Sequence, residues 1–310
     1  MKLPGVTRLR RRLDLARRVL DAHWFQPATA VWRIFEAEVV VENLRGGDSP
    51  LDLGCGDGTL APVLFSGLPV GVRWSGLDLD PREVSLARRN SSHQRLYAAS
   101  ANALPVRTEA YDLVFSNSAL EHMPDLPTVV AEVSRALRPG GRFVFTVPAA
   151  GFHRHLLWPR FLCAIGWPAS AKRYERHLDR RLHHLNYLSP EEWRTLLERN
   201  ELQVVREECY LSRRALGAWE TLANATGGLV HLARRGRPSP REVQHSLGLG
   251  AGRNRFLGRV AFLALSPLLL WLAAERSPRH AAALYIEAVK ARPADGAGTN
   301  RGSVVDGGSP

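Results

Sequence analysis

A short loop in the first third of the chain combines acidic and glycine residues in a pattern that suits a cationic ligand. Residues 52–58 read Asp-Leu-Gly-Cys-Gly-Asp-Gly and follow a short apolar run. The glycines let the backbone turn sharply and approach a ligand closely. The carboxylate of Asp52, at the start of the loop, suits an ammonium or sulfonium group better than a phosphate.

A second acidic residue, Asp78, lies near the end of the next apolar run, Val72 to Leu79. A carboxylate at the end of a second strand can accept hydrogen bonds from both hydroxyls of a ribose. Dinucleotide enzymes seat a pyrophosphate on a G-x-G-x-x-G loop, whereas the glycines here follow a G-x-G-x-G pattern. This spacing disfavours a nicotinamide oxidoreductase.

These residues need a scaffold, and the pattern after residue 50 alternates short apolar runs with helical periods, which predicts βαβ units and a parallel sheet. The first predicted strand is short and ends with residues 51–53. The other six cover residues 72–79, 95–99, 111–116, 142–147, 202–207 and 284–289. The predicted helices cover residues 59–68, 81–90, 126–137 and 190–200. Residues 1–45 predict an N-terminal helical cover, residues 46–291 the main domain, and residues 292–310 a disordered tail.

Five motifs occur in the order found in the class I S-adenosylmethionine (SAM)-dependent methyltransferases, and the chain resembles that family's small-molecule group. They are LDLGCGDGTL (51–60), GLDLDP (76–81), ANALP (101–105), YDLVFSNSALEHM (111–123) and LRPGGRFVFTVP (137–148). The resemblance covers residues 30–210 and the strand near 284–290. It implies SAM as cofactor and a Rossmann-like α/β fold, a seven-stranded mostly parallel sheet with an antiparallel last strand, helices on both faces and helical insertions.

The resemblance also implies which residues hold the cofactor. Asp52 and the glycine backbone would hold the methionine part, Asp78 the ribose and Leu79 the adenine. The full implied set is Asp52, Gly54, Cys55, Gly56, Gly58, Asp78, Leu79, Asn102, Ala103, Leu104 and Asn117. Where the family often has an acid for the adenine amino group, this chain has Ser100, so Ser100 or Asn102 would have to take that contact.

The residues after the fourth strand bear on the methyl acceptor. Residues 116–119 lack the [DN]PP[YF] motif of exocyclic-amine nucleic-acid methyltransferases, and no Pro-Cys pair offers a nucleophile. We therefore favour a small-molecule or lipid-linked acceptor, methylated at oxygen, over RNA or DNA; a non-catalytic SAM-binding partner subunit is the remaining alternative. His122 is the candidate general base, since neutral imidazole suits working pH, or else a residue that shapes the loop.

Two stretches interrupt the alternation and read as insertions. Residues 149–188 are rich in His, Arg and Trp and follow the fifth strand, which favours an acceptor lid; a solvated basic face is the alternative. The histidines show no metal-ligand spacing, so we predict no metal site. Residues 212–280 include Phe256 to Ala274, nineteen residues with one charge, Arg259.

That apolar stretch reaches the lower limit of membrane-spanning length, but one crossing conflicts with the return of residues 284–289 to the sheet. It predicts either a contact with an anionic membrane surface, aided by the nearby arginines, or a buried helix or dimer surface. The net charge of +12 suits an anionic partner such as nucleic acid, lipid or an acidic substrate. The alternative is a diffusely basic surface that reflects a GC-rich coding sequence, since all but three of the 42 basic residues are Arg. No secretory signal pattern is present at the N-terminus. We expect a cytoplasmic protein, peripheral at the inner face of the cell membrane if the lipid contact exists.

Overall fold

The computed structural model describes residues 4–69, 71–90, 93–228, 254–273 and 282–292. The predicted tail, 292–310, lies outside these residues except for Arg292. The arginine-rich connection within the second insertion, residues 229–253, also lies outside them.

Seven strands form one sheet in the order β3-β2-β1-β4-β5-β7-β6. The strands are β1 (Pro50–Leu53), β2 (Ser75–Asp78), β3 (Arg95–Ala98), β4 (Tyr111–Asn117), β5 (Leu137–Pro148), β6 (Leu202–Tyr210) and β7 (Ala283–Lys290). Strand β7 runs antiparallel between β5 and β6, and the pairs among β1 to β5 are parallel. The predicted fold class is confirmed.

Two strand starts differ from their predictions by more than one residue. Strand β2 starts at Ser75 rather than Val72. Strand β5 starts at Leu137 rather than Arg142, because Leu137 already pairs with Tyr111 ahead of a register irregularity. The Pro-Gly-Gly sequence after the preceding helix is therefore part of the irregular start of β5.

Eleven α-helices surround the sheet in the described residues, and a π-helix, Asn224–Gly228, follows the tenth. The α-helices are α1 (Pro4–His23), α2 (Pro27–Asn43), α3 (Ala61–Leu64), α4 (Pro81–Asn90), α5 (Leu126–Ala136), α6 (Phe152–His155), α7 (Leu157–Ala164), α8 (Pro168–Leu182), α9 (Pro190–Glu198), α10 (Arg213–Ala223) and α11 (Arg255–Ala273). Helix α9 begins with the capping box predicted for Ser189 and Glu192. Helix α3 is shorter than predicted, since a 3-10 turn, Phe65–Gly67, replaces its second half.

The N-terminal cover consists of two helices rather than one continuous segment. The chain breaks before Pro27, which occupies the first turn of α2, where a missing N–H costs no helical hydrogen bond. Val31 and Ile34 of α2 are fully buried, in one apolar core with Phe115 of β4 and Tyr285 of β7. The N-terminal helices thus cover one face of the sheet directly.

The other face of the sheet has its own core. Val129 of α5 and Trp193 of α9 pack there with Val114 and Phe143 of the central strands. Helices therefore cover both faces, and the carboxyl ends of β1, β2 and β4 open at one edge between the two layers. This edge is where open parallel sheets bind ligands.

The two insertions differ in how they pack. Residues 149–188 form α6 to α8 after the end of β5. In the second insertion, α10 belongs to the core: Trp219 packs edge-on against Trp32 of α2, with ring centroids 5.6 Å apart. Helix α11 packs along α1, and its Leu269 and Leu272 are buried there.

Candidate active site

The loop after β1 turns sharply back over the end of β2. Gly54 has a φ of +80°, and its N–H donates to the carbonyl of Leu77 at 2.7 Å. A Cβ at Gly54 would lie 2.5 Å from the Cβ of Ala119 on the neighbouring loop. Both the backbone angle and the space therefore require glycine, and the backbone itself forms this wall of the site.

Asp78 lies across the end of β2 and is oriented by backbone groups. Its Oδ2 accepts a hydrogen bond from the N–H of Gly56 at 2.8 Å, and its Oδ1 accepts one from Asp80 at 3.0 Å. Each carboxylate oxygen has a second lone pair that can accept from a ribose hydroxyl. Leu79 follows with its side chain 73% exposed, so a large apolar surface borders the same opening.

Asp52, at the end of β1, pairs with a histidine that no sequence motif indicated. Its Oδ2 lies 2.9 Å from Nε2 of His93, whose side chain is completely buried just before β3. Because the Oδ2 atom only accepts, His93 donates through Nε2 if Asp52 is ionised. The pair fixes the direction in which the carboxylate faces the loop.

These groups surround one cavity of about 420 Å³. Its size falls in the range of about 300–1,000 Å³ typical of small-molecule sites. Eight of the predicted cofactor residues line it: Asp52, Gly54, Cys55, Gly56, Asp78, Leu79, Asn102 and Asn117. His122, the candidate base, lines the same cavity. Sequence motifs about seventy residues apart therefore meet at one site.

Three of the predicted cofactor residues are not among those that line the described cavity. Gly58 instead lets the loop pack against α4, since a Cβ there would lie 3.2 Å from the Cα of Ala87. The N–H of Ala103 donates to the carbonyl of Ser100, and that of Leu104 to the carboxylate of Glu132. These residues shape the turn after β3, and their direct contact with a cofactor stays a prediction.

Ser100 and Asn102 both line the cavity at the place where an adenine contact is expected. The Oγ of Ser100 accepts from the backbone N–H of Asn102 at 3.2 Å, and the side-chain amide of Asn102 donates to the carbonyl of Asp125 at 3.4 Å. The two side chains are held in one turn that faces the cavity. That one of them meets the adenine amino group in place of an acid stays a prediction.

Asn117, at the end of β4, is held by a buried carboxylate on α2. Its Nδ2 donates to Oε2 of Glu36 at 2.9 Å, and its Oδ1 accepts from the hydroxyl of Thr146 at 3.1 Å. Glu36 is fully buried and also accepts from Arg33, Ser118, Thr146 and Tyr210. One side chain of α2 thus ties together the ends of β4, β5 and β6.

The charge of Glu36 is stabilised where it lies. Burial alone would raise the pKa of Glu36, but the adjacent Arg33 guanidinium and the hydrogen bonds from Ser118 and Asn117 outweigh burial and lower it. Glu36 is therefore an ionised carboxylate at neutral pH. Its partner Arg33 also lines the cavity, so this ion pair forms part of the site's wall.

The N-terminal helices contribute wall residues that sequence reasoning missed: His23, Phe25, Gln26, Thr29 and Arg33. Burial, and then the charge of Arg33, lower the pKa of His23 to about 4, so this ring is neutral. One feature of the sequence does indicate that α2 contributes buried polar contacts. Glu36 and Glu38 stand in an otherwise apolar helical run, and a charged residue on a buried helix face needs a partner.

His122 lies next to a second histidine from the far end of the first insertion. Its Nδ1 is 2.9 Å from the carbonyl of His183, and its ring centroid is 5.2 Å from that of His184. Burial, followed by the nearby His122, lowers the pKa of His184 to about 3. No residue of 149–183 lines the cavity, so the lid function of this insertion stays a prediction.

The comparison with known families agrees with this geometry. Residues 51–145, which hold β1 to β4 and most of β5, match the family model described as a methyltransferase domain. The chain carries a class I SAM-dependent methyltransferase domain. SAM is the cofactor of this domain. Its glycine loop and its two strand-end carboxylates, Asp52 and Asp78, fit a sulfonium amino acid joined to a ribose.

The relatives of this methyltransferase domain act on different acceptors. The malonyl-[acyl-carrier protein] O-methyltransferase of Hahella chejuensis is 38% identical over 96 residues, 30% of this chain and 34% of the relative. The dimethylglycine N-methyltransferase of Parasynechococcus marenigrum is 36% identical over 152 residues, 44% of this chain and 51% of the relative. The chain thus spans about a third to a half of these relatives.

A solved structure resembles the whole fold. The [4+2]-cyclase SpnF superposes with a TM-score of 0.50 at 17% identity, over 85% of this chain and 82% of the cyclase. At this level of identity the likeness shows the architecture alone.

Proposed function

We propose that the chain transfers the methyl group of SAM to an oxygen atom of a small or lipid-linked acceptor. The observation that carries the proposal is the single cavity in which Asp52, the Gly54–Gly56 backbone and Asp78 face each other. Methyl transfer to oxygen needs the acceptor held in line with the sulfonium carbon and a group to take its proton. No covalent enzyme intermediate is needed, because the positive sulfur already activates the carbon.

The residues of the cavity divide naturally between the parts of SAM. Asp52 suits the ammonium group and Asp78 the ribose hydroxyls, while Leu79 offers an apolar surface to the adenine. Arg33 is the cation that can pair with the methionine carboxylate, since its guanidinium lines the same cavity. His122 lines the same cavity as Asn117 and is the candidate for taking the acceptor's proton.

The exposed face of α11 supports the proposed contact with membrane lipid. Within the described residues one helix, α11, is long and apolar enough to cross a membrane by length and composition. Only 17% of its residues from Arg255 to Leu272 are buried. It exposes Phe256, Val260, Leu263, Leu270 and Trp271. Its other face packs on α1, where Arg12 donates to the carbonyl of Leu272, so we propose that α11 lies in the membrane surface rather than crossing it.

Charge near α11 favours anionic lipid. Arg17 and Arg18 of α1 surround a surface depression together with Arg255 and Arg259 of α11. Asp14 and Asp21 lie in the same depression, and Asp14 already pairs with Arg18 at 3.0 Å. The arginines remain in excess, which suits phosphate head groups at the level where the apolar residues enter the lipid.

Turnover tests the proposed function. Purified protein is incubated with methyl-labelled SAM and fractionated extracts of small molecules, lipids and RNA, and the label is followed by fraction. We expect label in a small-molecule or lipid fraction, with none from the Asp78→Ala protein. Label in RNA would contradict the acceptor class. SAM binding without label in any fraction would identify a SAM-binding subunit instead.

Sedimentation with vesicles tests the membrane contact. Because α10 is part of the core, the test uses substitutions on the exposed face of α11 rather than removal of the whole insertion. A double variant, Phe256→Gln with Leu263→Gln, removes exposed apolar surface from α11, and Val205→Gln on β6 is the matched control. We expect the double variant alone to lose binding to phosphatidylglycerol vesicles. Equal sedimentation of all proteins, or a dimer that the double variant abolishes, would contradict the lipid contact.

A further inference from the structure

We propose that Glu121, His122 and His184 bind one divalent transition-metal cation beside the acceptor end of the cavity. The proposal deepens the proposed function and rests on it for its chemical meaning. One ligand atom from each of the three side chains lies within 4.8 Å of the others. His122 lines the cavity, so the cluster borders the space where the acceptor would bind.

The sequence could not predict this cluster, because its members come from two distant segments. Glu121 and His122 lie in the 3-10 turn after β4, and His184 follows α8. The two segments are joined by backbone hydrogen bonds. The N–H of Leu185 donates to the carbonyl of Glu121 at 2.8 Å, and Nδ2 of Asn186 donates to the carbonyl of Met123 at 2.6 Å.

Both imidazoles are oriented by hydrogen bonds at Nδ1. The partner of His122 is the carbonyl of His183, which can only accept, so Nδ1 carries the proton and Nε2 the lone pair. His184 contacts the hydroxyl of Tyr187 at 3.0 Å, and that hydroxyl donates to Asp179 at 2.6 Å. The Tyr187 oxygen must therefore accept a hydrogen bond from Nδ1 of His184. Nδ1 of His184 then carries the proton, and its Nε2 carries the lone pair, as in His122.

This arrangement is the one that metal-binding histidines use. A ligating imidazole commonly donates its other ring nitrogen to a carbonyl or carboxylate, which fixes the ring and raises its basicity. Here His122 has the carbonyl, and His184 reaches the carboxylate of Asp179 through Tyr187. The hydrogen bonds at both Nδ1 atoms leave Nε2 as the atom through which each imidazole would bind a cation, and the third group of the cluster, Glu121, is a buried carboxylate.

The donor set indicates the class of cation. Two imidazoles and one carboxylate suit Zn²⁺, Mn²⁺, Fe²⁺ or Co²⁺ and leave coordination positions open. Three ligands held at about 2.1 Å from one ion lie about 3 to 3.5 Å apart, so side chains whose ligand atoms lie within 4.8 Å of one another must move closer by up to about 1.5 Å. The positive charge of Arg33 raises the free energy of placing a cation in this site. The negative charges of Glu121, Glu36 and Asp179 offset this repulsion.

An open coordination position would let the cation hold the acceptor oxygen. When a hydroxyl binds a divalent cation its pKa falls, and its proton passes to solvent water. The oxygen then gives an electron pair to the methyl carbon, the carbon–sulfur bond breaks, and its electron pair stays on sulfur as the neutral thioether. With the cation bound, His122 acts as a ligand instead of as the base considered above, and the proton of the acceptor goes to water.

Titration with Co²⁺ tests the site directly, because its visible absorption reports nitrogen and oxygen ligands without any turnover. We expect the metal-free protein to bind one equivalent. Glu121→Gln and His184→Asn should each weaken binding at least 10-fold, while His177→Asn, on the exposed surface of α8, should bind like the unaltered protein. Thermal unfolding of each variant verifies that it is folded.

Absence of Co²⁺ binding at millimolar concentration would overturn the proposal, and so would binding that none of the ligand substitutions changes. Calorimetry with S-adenosylhomocysteine on the same proteins separates this outcome from failure of the proposed function. If the demethylated cofactor binds and label transfers while no cation binds, the metal site alone is wrong. If neither ligand binds, the proposed function fails as well.

Discussion

The two walls of the cavity are built in different ways. The wall at the strand ends is made by backbone loops after β1, β2 and β4, with side chains that act within a few residues of a glycine or a strand end. The opposite wall comes from α1 and α2, and its central group, Glu36, contacts residues 81 to 174 positions away. Local loop geometry builds the first wall, and long-range side-chain pairing builds the second.

The largest expected effect is a loss of folding stability when a buried carboxylate of the helical wall, formed by α1 and α2, is replaced. Glu36→Gln replaces a carboxylate that accepts several hydrogen bonds with an amide that accepts through one oxygen only, and it leaves the Arg33 charge unpaired. It should therefore lower the free energy of unfolding by about 3 kcal/mol. Glu38→Gln breaks another buried pair of α2, with Arg12 at 2.6 Å, and should cost a similar amount. Denaturant unfolding measures both changes.

Only Glu36→Gln should also weaken cofactor binding, because Asn117 lines the cavity and depends on Glu36 for its orientation. Calorimetry with S-adenosylhomocysteine is the measurement. If Glu38→Gln weakened binding as much as Glu36→Gln, the helical wall would act on the site through general stability rather than through Asn117.

On the strand-end wall, Asp78→Ala should reduce affinity for S-adenosylhomocysteine about 100-fold, because two hydrogen bonds between a carboxylate and the ribose are lost. Asp80→Asn, which removes the same charge two residues away and can still cap α4, is the control. Its affinity should stay within about threefold of the unaltered protein. Equal losses in both variants would indicate an effect of charge rather than of ribose contact.

His93 is expected to act as a positioning residue for Asp52. His93→Phe keeps the buried volume but removes the hydrogen bond, and should weaken S-adenosylhomocysteine binding about 10-fold. His93→Gln keeps a donor near the carboxylate and should restore most of the affinity. Equal affinity in both variants would show that the pair only fills space between β1 and β3.

The smallest effect concerns pH and the helical wall. Burial and Arg33 lower the pKa of His23 from 6.5 to about 4, so below pH 6.5 the unfolded chain binds a proton that the folded protein excludes. Between pH 6.5 and 5.5 this group should therefore reduce the free energy of unfolding by about 1 kcal/mol, and His23→Gln should flatten the profile. Parallel profiles would mean that His23 takes up protons equally in both states.

The same contrast explains how much the sequence could predict. The glycine loop, Asp78 and the positions of the strands follow from short motifs in which neighbouring residues determine the local backbone, and the predicted fold class was confirmed. The contacts of Glu36 with Asn117 and of His93 with Asp52 could not be predicted, because these partners lie far apart in the chain and only the packed sheet brings them together. The pairing of His184 with His122 depends likewise on the docking of residues 183–186 beneath the turn after β4.

Binding of nucleotide cofactors by the unaltered protein tests the central claim most directly. Calorimetry is carried out with S-adenosylhomocysteine and, in parallel, with NAD. We predict one equivalent of S-adenosylhomocysteine with micromolar affinity and no heat from NAD. Tighter binding of NAD, or no binding of either SAM or S-adenosylhomocysteine at millimolar concentration, would contradict the assignment of the cavity.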